Sequence, residues 1–128
     1  MSYYYNKTIA GGFDEVIEKV TAELKNQGFG VLTEIDFSGT IKKKLDKDMP
    51  AYRILGACNP GFAYEAYKAD DKIGTMLPCN VIVQEREQNI IEISVVDPIA
   101  SMQAIKNESL APIAIEIRDK LKKVIDNL

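Results

Sequence analysis

Histidine is absent from all 128 residues, and that gap removes several chemistries. Neither a Ser-His-Asp triad nor a Cys-His pair can be assembled, and no imidazole is present to hold a metal. No side chain has an unperturbed pKa near neutrality, so catalysis would need a perturbed thiol or carboxylate, or a cofactor. Cysteine is scarce: Cys58 and Cys79 are the only two. They are too far apart for a C-x-x-C motif, and two thiolates are too few for a closed zinc site, so no metal is expected. There is no run of about 18 apolar residues, so no membrane-spanning segment is expected. Met1-Ser2-Tyr3-Tyr4-Tyr5 lacks the charged and apolar regions of an export signal, which points to a reducing, cytoplasmic location with free thiols. An excess of positive charge is also missing: 16 basic against 19 acidic residues leave a net −3, a poor match to the basic footprint of a nucleic-acid binder. Lys42, Lys43, Lys44 and Lys47 form one basic run, but Asp46 and Asp48 interrupt it and it reads as a solvated helix face. Gly11-Gly12 is not a phosphate loop of the form G-x-x-x-x-G-K.

With 46% hydrophobic and 27% charged residues, the chain can build one core, which suits a single domain over residues 1–128. Residues 3–9, rich in tyrosine and ending Thr8-Ile9, read as a strand. Phe13, Val16, Ile17, Val20 and Leu24 have helical spacing, and Gly28 supplies the stop. Residues 30–37 alternate and predict a strand with one face toward a core. Ser38 is the expected cap of a short helix over 40–47 with Ile41 and Leu45 as its buried stripe, ended by Pro50. Residues 51–58 form the next strand, and Asn59-Pro60 is a cap followed by an N1 proline. A helix then runs to Asp70-Asp71. Strands over 79–85 and 90–96 flank a short polar turn, the pattern of an antiparallel hairpin. Asp97-Pro98 repeats the cap signal, and a long amphipathic helix from near Ser109 carries Leu110, Ile117 and Leu121 inward. This order predicts an α+β fold, a single sheet of about five strands with helices packed on one face.

The two cysteine segments, Ala57-Cys58-Asn59-Pro60 and Leu77-Pro78-Cys79-Asn80, are the candidate site. Each pairs a cysteine with an asparagine beside a proline, where one element gives way to another. A thiol just before a helix start is exposed to free N–H groups and to the helix dipole, which stabilise a thiolate. Buried free cysteine also packs as a small hydrophobe. A structural thiol, a disulfide, a ligand or redox site and a shared metal all stay open. Arg53 lies on the strand face opposite Cys58 and is expected to pair with a carboxylate.

Ile54-Leu55-Gly56-Ala57-Cys58-Asn59-Pro60, Ala63-Tyr64-Glu65-Ala66, the run Leu77 to Glu85 and Val96-Asp97-Pro98 together resemble domain-of-unknown-function family 302 over nearly the whole chain. The resemblance implies a β-α-β(4)-α arrangement similar to TBP-like folds, often as a homodimer, and brings no catalytic roles with it. The leading reading is a dimeric module that binds a small ligand in a cleft between sheet and helix, near Cys58, Asn59, Pro60, Cys79 and Asn80. The alternatives are a thiol-dependent redox or transfer enzyme using Cys58, and a module whose only work is protein association. The cofactor is left open.

Overall fold

The computed structural model describes residues 2–128. β1 (Tyr4–Ala10) leads through Gly11-Gly12 into α1 (Phe13–Asn26), which buries Val16, Ile17, Val20 and Leu24 as their spacing requires. Gly28 ends the helix at φ +85°. Its N–H donates to the Lys25 carbonyl at 3.0 Å, and the Phe29 N–H to the Leu24 carbonyl at 2.9 Å, a left-handed C-terminal cap that glycine adopts without a Cβ penalty. Then follow β2 (Gly30–Asp36), α2 (Phe37–Leu45), β3 (Tyr52–Cys58) and α3 (Pro60–Ala69). A 3-10 turn at Ile73–Met76 precedes the hairpin of β4 (Cys79–Glu87) and β5 (Ile90–Val96). The chain closes with α4 (Pro98–Ser101), a second 3-10 turn at Glu108–Leu110 and α5 (Ala111–Asp126).

The strands form one antiparallel sheet in the order β1-β5-β4-β3-β2. Apart from the short α2, α3 and α4, the order is the β-α-β(4)-α pattern. Because β1 and β2 are the two edges, α1 must cross the whole sheet between them. α1 and α5 lie on the same face. Leu55, Val81, Val83, Ile91, Ile93 and Val95 rise from the sheet to meet Val20 and Leu24 of α1 and Ile117, Leu121 and Val124 of α5. A smaller cluster of Ala66, Ile73, Met102, Leu110 and Ala114 ties α3 and the 3-10 turns to α5. Pro112 sits in the first turn of α5, where its missing N–H costs nothing.

Four local expectations are corrected. The cap of α2 is Asp36, not Ser38: its carboxylate accepts the Gly39 N–H at 3.0 Å, and the helix starts at Phe37 rather than Thr40. The Ser38 hydroxyl instead accepts the Tyr52 N–H at 3.0 Å. Ile41 and Leu45 do not form a buried stripe; α2 buries nothing, and Leu45 is 61% exposed. β2 meets the core only at Val31. It is an edge strand with a bulge between Val31 and Thr33, which interrupts its alternation, and Leu32 and Ile35 are 67% and 48% exposed. Periodicity marks which side chains share a side; it does not place another element over them. The last helix begins at Ala111, because residues Glu108–Leu110 form the 3-10 turn.

Candidate functional site

β3 and β4 are neighbours, and their ladder pairs Ala57 with Cys79 and Gly56 with Asn80. The two cysteines therefore lie one register step apart at the same end of the sheet. Alternation sends them to opposite faces: Cys79 shares the helix-covered side with Ala57 and Val81, and Cys58 shares the other side with Gly56. Their Cβ directions diverge, which does not suit a disulfide, and the two are not bonded to each other. Asn59 caps α3, its side-chain oxygen accepting the Phe62 N–H at 3.4 Å, and Pro60 is the N1 residue. These two residues serve the helix start, as their order in the sequence implies.

At both thiols desolvation acts against ionisation. Burial raises the pKa of Cys58, whereas an activated nucleophile requires the opposite. Cys79, 6% exposed, is pushed up to about 11, by burial first and by the neighbouring Cys58 second. Alkylation at neutral pH followed by peptide mapping is expected to label Cys58 slowly and Cys79 only on unfolding; equally fast labelling of both would contradict this burial. The Cys79 shift also sets a pH dependence. An unfolded thiol ionises near pH 8.5 to 9 and the folded one near 11, so above about pH 9 the unfolded state binds fewer protons and stability falls. The loss over that window is roughly 2–3 kcal/mol. Urea titrations between pH 8 and 11 are expected to show a shallower alkaline decline for Cys79→Ala than for the wild type; equal slopes would contradict the assignment.

Asn80 points away from Cys79 and to the same side as Cys58. It lies on the sheet face that carries neither α1 nor α5. The ladder aligns Ile35, Ile54, Ile82, Ser94 and Asn6 in one row across all five strands. The row on one side holds Tyr52, Gln84, Glu92 and Thr8; the row on the other holds Gly56, Asn80, Val96 and Tyr4. Over these three rows lies a concavity of about 440 Å³, lined by Tyr4, Tyr52, Asn80, Ile82, Gln84 and Ser94 with Arg86 and Glu92 at its side. Glu92 is the one carboxylate in the three rows. It accepts the Asn6 amide and the Arg86 Nε–H, each at 2.6 Å; these bonds, Asn6 first, hold its carboxyl below the usual range. Pro78, after a cis peptide bond, lies against Gly56 on this face. Cys58 lies beyond Gly56 on β3 and does not line the concavity.

Of the five sequence candidates, only Asn80 faces this trough. The anticipated cleft between sheet and helix is filled by the core. The family model described as "Domain of unknown function DUF302" matches residues 5–128. The chain belongs to DUF302. A solved structure of an uncharacterized conserved protein DUF302 from Bacillus stearothermophilus is similar, with a TM-score of 0.90 and 26% sequence identity, over 98% of each chain. No curated protein matches.

The DUF302 fold explains why the trough residues escaped notice in the sequence. Tyr52, Gln84 and Ser94 are far apart along the chain and converge only once strand order and register are set. The local signal was there: in β3, β4 and β5 the positions facing away from the core are neutral polar, aliphatic or aromatic, with hardly a charge. Arg53, on the helix-covered face of this DUF302 chain, pairs with Glu34 at 2.7 Å and lies 5.6 Å from the Phe13 ring centroid, as its carboxylate-pairing reading anticipated. Among the described residues no group of three or more cysteine, aspartate and glutamate side chains is placed to hold a metal ion, and no helix is long and apolar enough to cross a membrane.

Proposed function

We propose that this DUF302 protein is a small-molecule-binding module working as paired copies, and that its ligand lies in the trough on the open sheet face. The observation that carries this reading is the make-up of the trough. About 440 Å³ falls within the size range of small-ligand sites, and an apolar floor with a few polar groups is their usual composition. Ile82 and Val96 form the floor, Tyr4 and Tyr52 supply aromatic surface, and Asn80, Gln84 and Ser94 offer uncharged donors and acceptors. With Glu92 already satisfied by Asn6 and Arg86, the trough suits an uncharged ligand with a flat or amide-bearing group. Pairing is supported by the tyrosine-rich start of β1, since Tyr3 and Tyr4 are 68% and 40% exposed and tyrosine is enriched at interfaces.

Native mass spectrometry of the protein taken from its host tests the reading. A retained organic adduct is expected that survives Cys58→Ala and is weakened about tenfold by Tyr52→Ala, from the lost aromatic contact. An adduct that depends on Cys58 and not on Tyr52 would return the site to the thiols.

A further inference from the structure

We infer that a second copy of this chain is the lid of the trough: two molecules pack open face to open face and enclose one chamber. The inference rests on the reading above only for what the chamber contains.

Three observations carry it. The first is charge. The chain has 35 formally charged residues, yet across the three rows of the open face the only ion pair is Arg86 with Glu92, at its side. A sheet face meant for water alternates toward polar and charged residues; depletion of charge with aromatic enrichment marks the centre of an interface. The second is the rims. Tyr3 and Tyr4 stand along the β1 edge, and Ile35 and Phe37, 48% and 36% exposed, along the β2 edge. A trough that only took a small ligand would have no use for exposed apolar residues along both edges. The third is area. Five strands of at least seven residues, at about 4.8 Å between strands and 3.3 Å per residue, present a plane of roughly 550 Å² per copy. Side-chain relief takes the two faces past the roughly 1,000 Å² that a specific interface requires. The occupant that matches this face in size and in lack of charge is the same face on another molecule, meeting it along the rims with the two troughs joined between them.

A symmetric pairing of this kind makes a specific demand. β4 is the middle strand and Ile82 lies on its middle row, so a two-fold axis through the centre of the face sets each Ile82 opposite its own counterpart across the chamber. Ile82→Lys places two like charges together and Ile82→Glu does the same with the opposite sign, whereas the mixture places lysine opposite glutamate. Sedimentation at micromolar concentration is expected to give twice the 14.3 kDa chain mass for the wild type, the single mass for each variant alone, and the double mass again for the mixture. Ile115→Lys, on the outer side of α5 at 44% exposure, should stay dimeric. Ile35→Lys, on the exposed rim where it cannot damage the core, should weaken the dimer at least tenfold and so guards against a folding defect at Ile82. A monomeric wild type, dimeric Ile82 variants, or a mixture that stays monomeric would each overturn the inference. Binding of Nile red, a neutral flat dye, separates the two ideas. A dimer that takes up no dye and carries no native adduct would sink the ligand reading and leave the lid standing. A monomer that binds the dye would do the reverse.

Discussion

Ile117→Asp is expected to lower the stability of this protein by about 3 kcal/mol or more, because it buries a carboxylate with no partner. Ile117 is 4% exposed and lies in the main core, among side chains of α1, α5 and the sheet. The side chains packed with it there are apolar, so the new group must be buried as a charge or take up a proton. Either course costs free energy at neutral pH. Ile115→Asp, two residues earlier on the exposed side, introduces the same group in water and should stay within about 0.5 kcal/mol of the wild type. Urea titration of the pair checks both numbers. A near-wild-type midpoint for Ile117→Asp would mean that α5 does not seal this core.

The second large effect is expected at Gly56, where the usual sign of a glycine substitution reverses. Alanine in place of a strand glycine ordinarily gains about 0.5–1 kcal/mol by restricting the unfolded chain. At Gly56 a Cβ would stand 2.8 Å from Pro78 Cγ and closer still to Thr33 Oγ1. The proline ring cannot swing away, and Gly56 is central in the ladder, paired to both Thr33 and Asn80. Gly56→Ala should therefore destabilise by about 1–3 kcal/mol, with a larger loss for Gly56→Val. Thr33→Ala removes one of the two obstacles, so the double variant Thr33→Ala with Gly56→Ala should lose less than the sum of the singles by about 0.5 kcal/mol or more. Thermal unfolding of the four proteins decides it. A Gly56→Ala protein more stable than the wild type would show that β3 and the Pro78 segment are not so closely packed.

What could be read without the fold was local. The stripe of α1 and its Gly28 stop, the Asn59-Pro60 and Asp97-Pro98 caps, the β4–β5 hairpin and the order of elements each rest on a handful of adjacent residues, and the sheet with helices on one face follows from them. The candidate site was not local. Cys58 and Cys79 belong to neighbouring strands, but whether two such side chains meet depends on a register set by pairings across the sheet, and one step of register places them on opposite faces. The trough depends on more still: Ile35, Ile54, Ile82, Ser94 and Asn6 form a row only because β1 inserts beside β5 while β2 goes to the far edge. For the same reason the apolar spacing of β2 and α2 predicts inward-facing residues that the fold leaves largely exposed. Leu32, Ile35 and Leu45 have the pattern of a covered surface, yet within one chain they stay 67%, 48% and 61% exposed.

Isoleucine methyl NMR of the protein, before and after addition of the small-molecule fraction of host cells, tests the central claim that the open sheet face is the working surface. Ile54 and Ile82, which lie on that face, are expected to shift, while Ile73, Ile91 and Ile93, each no more than 1% exposed in the two cores, stay in place. Unmoved Ile54 and Ile82 signals, with shifts instead in the core or none at all, would contradict it.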